Sequence, residues 1–161
     1  MTQNEELVKE LTKHNLTIGS IESYTGGLFG KEITDVPGAS KVYKGGIIVY
    51  TIEEKVRLLG IEPSFIEENG VVSQAVAKEL ALKGKERLNT DIVVSFTGNA
   101  GPTRDVCSHG SEVGEVYIGI LFKDNYYFLK NINPELSRSE IREESIQMSV
   151  EFILNILKKS S

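Results

Sequence analysis

A serine, a tyrosine and a lysine occupy positions where they could act together in nucleophilic catalysis. Ser23 ends one apolar segment, Tyr50 ends a second, and Lys55 follows five residues later. A serine hydroxyl is a weak nucleophile until a neighbour takes its proton, and a lysine kept neutral by burial can be that neighbour. Tyr50 could orient Lys55 or relay the proton. Spacing alone favours a plainer interpretation, in which Lys55 is a solvated helix residue beside Glu53 and Glu54.

The corner that contains Ser23 predicts a binding position for an anion. Residues 16–22 are predicted as a strand and residues 27–34 as the helix after it. Ser23 and Thr25 would then lie beside free backbone N–H groups at a helix N-terminus. Phosphate, carboxylate or a developing oxyanion would be stabilised there. The alternative is that the following Gly-Gly pair only permits a tight turn from strand to helix.

The glycines of this corner fit neither of two common nucleotide-binding motifs. A Walker A loop has four residues between its first Gly and Gly-Lys and then Ser or Thr. Here three residues separate Gly26 from Gly30-Lys31, and Glu32 follows. No Gly-x-Gly-x-x-Gly follows a predicted strand, which removes the main support for a Rossmann site. GTPase, ATPase and dinucleotide-binding interpretations are therefore disfavoured.

Two later segments could contribute to the same site. The loop 97–102 (Thr-Gly-Asn-Ala-Gly-Pro) follows a predicted strand, and its glycines would let backbone amides approach a ligand closely. A plain irregular loop is the alternative. Arg138 and Arg142 lie near the start of the last predicted helix and could bind a phosphate through paired N–H groups, although exposed arginines are more often solvated.

Composition excludes several classes of partner and cofactor. The chain has 161 residues, enough for one domain with a sizeable core, and a net charge of −5 that would draw neither nucleic acid nor a membrane surface. Cys107 is the only cysteine, so no internal disulfide is expected, and with His109 it gives too few ligands for a metal site. A polar N-terminal segment and the lack of a long apolar run predict a cytoplasmic protein.

Helical and extended periodicities alternate along the chain. Helices are predicted at residues 5–14, 27–34, 51–59, 73–88 and from about 137, and strands at 16–22, 42–51, 91–96, 115–122 and 126–132. Helical crossovers between parallel strands would bring the strand C-termini to one edge of a sheet. The last two strands are too close in sequence for a crossover and should form a hairpin. We predict one domain over residues 1–161, an α/β/α three-layer sandwich with a mainly parallel sheet and an antiparallel hairpin extension.

Six motifs follow one another along nearly the whole chain. They are Glu22-Ser23-x-Thr25-Gly26-Gly27, Thr34-Asp35-Val36-Pro37-Gly38-Ala39-Ser40, Gly45-Gly46-x-x-x-Tyr50-x-x-x-x-Lys55, Leu58-Leu59-Gly60, Gly70-x-Val72-Ser73 and Thr97-Gly98-x-Ala100-Gly101-Pro102. Each is weak alone, but their joint order and spacing are specific. Together they resemble the CinA C-terminal family, the nicotinamide-nucleotide amidases.

The resemblance implies an activity and a set of site residues. The family hydrolyses the carboxamide of nicotinamide mononucleotide to nicotinate mononucleotide and ammonia. Ser23 is the implied nucleophile and Lys55 with Tyr50 the activating pair, without metal or other cofactor. The residues implied for binding this small-molecule nucleotide are Thr25, Gly26, Gly27, Gly45, Gly46, Thr97, Gly98, Ala100, Gly101 and Arg138. The resemblance also implies a homodimer and a stand-alone form of a module that follows an N-terminal domain in larger members.

Two departures from the family pattern keep rival interpretations open. Tyr24 stands where the family usually has Cys, which changes the bulk beside the nucleophile. Asn99 replaces an apolar residue, and residues 103–107 replace a glycine-rich continuation. The rivals are a non-catalytic nucleotide-binding module and an interaction protein that retains only the fold. The intact serine, tyrosine and lysine favour the enzyme, whereas the altered loop favours the binding module.

Overall fold

A computed structural model describes residues 1–102 and 110–159 and shows alternating helices and strands. In order they are α1 (Gln3–Lys13), β1 (Ile18–Glu22), α2 (Leu28–Thr34), a 3-10 turn (Ala39–Lys41), β2 (Tyr43–Ile48), α3 (Ile52–Leu59), α4 (Pro63–Asn69), α5 (Gln74–Leu88), β3 (Ile92–Gly98), β4 (Glu115–Phe122), β5 (Asn125–Ile132) and α6 (Arg138–Lys159). The predicted α/β class is confirmed. No helix within the described ranges is both long enough and apolar enough to cross a membrane.

The five strands form one sheet in the order β2-β1-β3-β4-β5. β1 pairs in parallel with both β2 and β3, whereas β4 is antiparallel to β3 and to β5. The parallel core and the antiparallel hairpin are therefore as predicted. Glu22, Ile48 and Gly98 end the three parallel strands at the same edge, which we call the C-terminal edge.

Helices cover both faces of the sheet, which confirms the three-layer arrangement. One core joins the sheet to α1, α2 and α6, and the other joins it to α3, α4 and α5. Successive strand residues serve opposite cores because side chains alternate across a strand. On β3, Val93 belongs to the core on the α5 side and Val94 to the core on the α6 side, and both are fully buried.

Helix α5 approaches the sheet closely through a glycine. A Cβ atom on Gly84 would lie 2.5 Å from Cγ1 of Ile21 and 3.0 Å from Cγ1 of Val93. No side chain fits in that space without a shift, so Gly84 sets the separation between helix and sheet. The helix begins with the hydroxyl of Ser73 accepting from the Val76 N–H.

Helix α4 was not predicted from the sequence. Proline occupies its first turn, where a missing N–H costs nothing, and Gly70 ends it. The helix has only seven residues, of which Ile66 is buried. A segment of this length shows too little apolar periodicity to separate it from a loop.

Candidate active site

Ser23 and Lys55 are hydrogen-bonded to each other at the C-terminal edge. Lys55 Nζ donates to Ser23 Oγ at 2.9 Å and to the carbonyl oxygen of Val49 at 2.9 Å. Ser23 is 7% exposed and Lys55 1% exposed. Lys55 is therefore not the solvated residue that its spacing alone favours. A hydroxyl bonded to a buried amine is the pairing that lysine-assisted nucleophilic catalysis requires.

The position of Lys55 follows from the geometry of α3. This helix begins directly after β2, with the Thr51 hydroxyl accepting from the Glu54 N–H at 3.1 Å. Side chains of a helix lean toward its N-terminus, so a lysine in the first turn points back to the end of the preceding strand. β2 is parallel to β1, whose last residue precedes Ser23. The amine therefore reaches the serine.

A cavity of about 420 Å³ opens beside this pair. The volume lies within the ordinary range for small-molecule sites. Eight predicted site residues line it, namely Ser23, Tyr50, Lys55, Thr97, Gly98, Ala100, Gly101 and Arg138. Glu53 also contributes, so the lining contains two basic side chains and one carboxylate.

Arg138 links two walls of the cavity from the first turn of α6. One guanidinium nitrogen, Nη1, donates to the carbonyl oxygen of Gly101, and Nη2 donates to the Tyr50 hydroxyl at 3.1 Å. The Tyr50 side chain is therefore directed toward Arg138 at the cavity rim. Tyr50 approaches Lys55 through its backbone carbonyl, 3.5 Å from Nζ.

Hydrogen bonds hold the two ends of the loop after β3 together. The Asn99 N–H donates to the carbonyl of Glu115 at 2.9 Å, and Asn99 Nδ2 donates to Ser111 Oγ at 2.6 Å. Asn99 is 2% exposed, so its amide replaces apolar packing with hydrogen bonds across the loop. Residues 103–109, including Cys107 and His109, lie outside the described residues. Within the described ranges, no three His, Cys, Asp or Glu side chains are placed to hold a metal ion.

A buried carboxylate, Glu22, fills the start of α2. It is 2% exposed and accepts hydrogen bonds from five groups. These are Thr25 Oγ1 at 2.8 Å, Ser20 Oγ at 3.0 Å, and the N–H groups of Phe29 at 3.0 Å, Gly30 at 3.1 Å and Gly27 at 3.2 Å. The N–H groups of Gly27, Phe29 and Gly30 are therefore not free, and the predicted binding position for an external anion at this helix N-terminus is wrong, because the chain supplies its own carboxylate there.

Gly26 and Gly27 form the turn between β1 and α2. Their φ angles are +61° and +101°, in the left-handed region that glycine adopts readily. Gly26 and Thr25 border a separate hollow beside Arg142, and neither glycine lines the Ser23 cavity. The structure thus supports the plain turn interpretation for this glycine pair.

Gly45 and Gly46 lie within β2, away from the cavity lining. A Cβ atom on Gly46 would lie 2.5 Å from Ser20 Oγ and 2.6 Å from the Tyr43 hydroxyl. These two hydroxyls are 2.8 Å apart. Gly46 therefore makes room for a polar contact between strands, which is a packing reason for its presence.

Tyr24 borders the cavity, and its side chain packs into the core on the α6 side. Its hydroxyl donates to Ser145 Oγ at 2.8 Å, and Arg142 Nε donates to its carbonyl oxygen at 2.7 Å. The ring packs edge-on against Phe96, with centroids 6.3 Å apart. Burial raises the pKa of Tyr24 well above the ordinary tyrosine value. The bulk of this residue is thus accommodated by packing against Phe96 and α6.

Comparison with known proteins shows the family of the chain. Residues 1–157 match the CinA C-terminal domain. The chain belongs to the CinA C-terminal domain family. The CinA-like protein of Petrotoga mobilis is 37% identical over 149 residues, which are 92% of this chain and 36% of that protein. A relative from Halalkalibacterium halodurans is 39% identical over 155 residues, 96% of this chain and 36% of its own length. The chain thus spans about a third of the length of these relatives.

Solved structures share the CinA C-terminal domain fold. The crystal structure of competence/damage inducible protein CihA from Agrobacterium tumefaciens is similar with a TM-score of 0.87 and 28% identity, covering 96% of this chain and 97% of that one. A competence or damage-inducible protein from Enterobacter asburiae gives a TM-score of 0.89 at 24% identity over 98% and 99% of the two chains, which bears on the fold alone.

Glu22, which precedes Ser23 in this CinA C-terminal domain, was not predicted from the sequence as a site residue. Its motif was noted for the serine beside it. A carboxylate that ends an apolar strand and precedes a helix by a few residues indicates a buried hydrogen-bond acceptor. Burying a carboxylate costs free energy, which several hydrogen bonds to it offset.

Proposed function

We propose that the chain is an amidohydrolase that converts nicotinamide mononucleotide to nicotinate mononucleotide and ammonia, with Ser23 as nucleophile. The observation that carries the proposal is the 2.9 Å contact between Lys55 Nζ and Ser23 Oγ in the wall of a cavity. Membership of the CinA C-terminal domain family supports it. No cofactor takes part in the proposed reaction.

The first half-reaction forms an acyl-enzyme. The neutral Lys55 amine turns its lone pair toward the Ser23 hydroxyl and takes the hydroxyl proton while Oγ attacks the carboxamide carbon, forming a C–O bond and an oxyanion. The backbone N–H groups of Tyr24 and Thr25, directly after the nucleophile, are our candidates to stabilise that oxyanion. The C–N bond then breaks, and the leaving nitrogen takes the proton from Lys55 and departs as ammonia.

The second half-reaction uses water. Lys55 takes a proton from a water molecule that attacks the ester carbon, and the proton returns to Ser23 Oγ as the C–O bond to serine breaks. The product forms as the carboxylic acid, gives its remaining proton to solvent water, and leaves as the carboxylate beside the regenerated serine. Lys55 thus serves both halves, first as base and then as acid in each.

Arg138 supplies the cation that we assign to the substrate phosphate. The other basic side chain of the cavity is engaged at Ser23, and the N-terminus of α2 is occupied by Glu22. Arginine presents several donors in a planar fork that suits phosphate oxygens. The nucleotide would therefore place its carboxamide at Ser23 and its phosphate at the cavity rim.

An ammonia-release assay tests the proposal. Wild-type protein should release ammonia from nicotinamide mononucleotide, with nicotinamide and nicotinamide dinucleotide as comparison substrates. Ser23→Ala should abolish turnover while leaving mononucleotide binding within a few-fold, and a quenched wild-type reaction should show a nicotinoyl adduct on the Ser23 peptide. Ser149→Ala removes a fully buried hydroxyl on α6 and serves as the control. Turnover in Ser23→Ala near the wild-type rate would exclude the covalent mechanism.

A nucleotide-binding module without catalysis is the second candidate. The altered sequence 103–107 favours it, because this stretch follows in the sequence soon after Gly101, which lines the cavity. Tight binding of the mononucleotide without ammonia from any of the three compounds would support the module. If the protein neither releases ammonia nor binds the mononucleotide, the remaining interpretation is an interaction protein that retains only the fold.

A further inference from the structure

We propose that Glu22 is a positioning residue that holds Ser23 and Lys55 in register, an inference that rests on the proposed function. Two sets of hydrogen bonds carry it. The first is the five-donor shell around the carboxylate, which includes three backbone N–H groups of the Ser23 corner and α2. The second runs through the backbone of the same residue to Lys55.

The five donors around Glu22 require a side chain that only accepts hydrogen bonds. Five donors surround the two oxygens, and each oxygen receives at least two. A carboxylate can accept all of them, whereas the amide of glutamine has one oxygen and an NH₂ group that cannot accept. Replacing Glu22 by glutamine would leave backbone N–H groups facing another donor. The turn that carries Ser23 would then have to rearrange.

The backbone of Glu22 connects this shell to the lysine. The Val49 N–H donates to the carbonyl oxygen of Glu22 at 2.8 Å, and the carbonyl oxygen of Val49 accepts from Lys55 Nζ at 2.9 Å. Lys55 Nζ also donates to Ser23 Oγ, the residue that follows Glu22. The contacts therefore form a closed circuit through Glu22, Val49, Lys55 and Ser23. A shift of Glu22 would move both partners of the reactive pair.

The predicted consequence is a loss of rate without a loss of substrate affinity. The phosphate grip at Arg138 does not touch Glu22, so KM should stay within a few-fold. A displacement of about 1 Å in a reacting group can reduce the rate by about 100-fold, and we expect a fall in kcat of that order for Glu22→Gln. Thr25→Val, which deletes one neutral donor to the same carboxylate, should lower kcat by a smaller factor.

Asp91→Asn is the matched control. Asp91 Oδ2 accepts from the Thr17 N–H at 2.8 Å and from Thr17 Oγ1 at 3.1 Å, beside the opposite edge of the sheet. The change from carboxylate to amide is the same, but it lies far along the strand from Ser23. Asp91→Asn should keep the wild-type kcat, and circular dichroism and melting temperature should be recorded for all variants.

The experiment measures kcat and KM for nicotinamide mononucleotide, and in parallel the rate at which a sulfonyl fluoride labels Ser23, read by mass spectrometry. A folded Glu22→Gln with wild-type kcat, or with kcat and KM changed equally, overturns the inference. If wild-type protein hydrolyses no amide, the proposed function fails, and the labelling rate decides: slower labelling of Glu22→Gln supports positioning, and equal labelling overturns it. A wild-type Ser23 that is neither labelled nor active counts against both. Should Glu22→Gln fail to fold, Thr25→Val gives the same readouts.

Discussion

At the scale of single residues, burial determines what Lys55 and Glu22 can do. Both would be ordinary solvated charges on an exposed helix or loop. Lys55 is instead 1% exposed and Glu22 2% exposed, and each forms hydrogen bonds with neighbouring groups. A buried ionisable group costs free energy unless its contacts offset the loss of water. Such groups are common at functional sites, because burial and neighbouring charges shift pKa values toward those that catalysis needs.

Substitution of Lys55 separates a catalytic base from a structural cation. Lys55→Arg keeps a positive charge but cannot give up its proton, so it should be nearly as inactive as Lys55→Met. Wild-type turnover should rise with pH as the amine loses its proton, and neither variant should show that rise. Initial rates across pH, with melting temperatures and the exposed control Lys44→Met, test this. An active Lys55→Arg would show that another group is the base.

The burial of Tyr24 predicts that the folded protein loses stability at alkaline pH. Its pKa is raised by burial in the folded state, so above about pH 10 the unfolded chain releases a proton that the folded chain retains. Stability therefore falls as pH rises, at about 1.4 kcal/mol per pH unit for one such group. Tyr24→Phe removes this contribution, and its unfolding free energy should fall less steeply between pH 10 and 11.

Urea unfolding at several pH values measures that difference. Tyr127→Phe is the control, because its side chain is 37% exposed. At neutral pH, Tyr24→Phe should cost about 1 kcal/mol for the lost hydrogen bond to Ser145. Identical pH slopes for wild type and Tyr24→Phe would show that the buried hydroxyl does not govern alkaline unfolding.

At the scale of elements, the first two turns of α6 hold the walls of the site. Arg138 bonds to Gly101 and Tyr50, and Arg142, one turn later, bonds to the carbonyl of Tyr24. Residues four apart lie on one face of a helix, so one element fixes both the loop after β3 and the corner that contains Ser23. Only Arg138 of the two lines the cavity.

The two arginines should therefore differ in substrate dependence. Arg138→Ala should weaken the binding of nicotinamide mononucleotide by about 2 kcal/mol, or about 30-fold in KM. It should hardly affect the binding of nicotinamide riboside, which has no phosphate. Arg142→Ala should affect both substrates alike, if at all. Steady-state kinetics with the pair of substrates distinguish these outcomes. If Arg138→Ala weakens the binding of both substrates equally, Arg138 only holds the cavity walls together and does not bind the phosphate.

At the scale of the whole molecule, one sheet serves two cores. Leu80 on α5 and Ile153 on α6 are fully buried on opposite faces. Leu80→Ala and Ile153→Ala should each lower the free energy of unfolding by about 2–5 kcal/mol. Because both cores share the strands, either change should destabilise the entire chain.

Denaturant unfolding followed by two probes tests that cooperativity. Far-ultraviolet circular dichroism and tyrosine fluorescence, which suits a chain without tryptophan, should give coincident transitions in both variants. Separate midpoints would mean that the two layers unfold independently. The homodimer stays a prediction that sedimentation equilibrium can test.

Much of the fold was predictable because its signals are local. Apolar periodicity gave the strands and the longer helices, and a short link gave the β4–β5 hairpin. The seven-residue α4 lacked such a signal. Element type is encoded by neighbours along the chain, whereas the termini and very short elements depend on what they pack against.

The sequence by itself determined the α/β class, the parallel order that brings Ser23 and Lys55 to one edge, and the family. Tertiary structure alone decided that Lys55 is buried against Ser23, that Glu22 occupies the anion position at α2, and that Gly45 and Gly46 lie outside the cavity. These outcomes depend on strand register and on which side chain fills a shared space. Such contacts join residues far apart in the chain, and no local pattern specifies them.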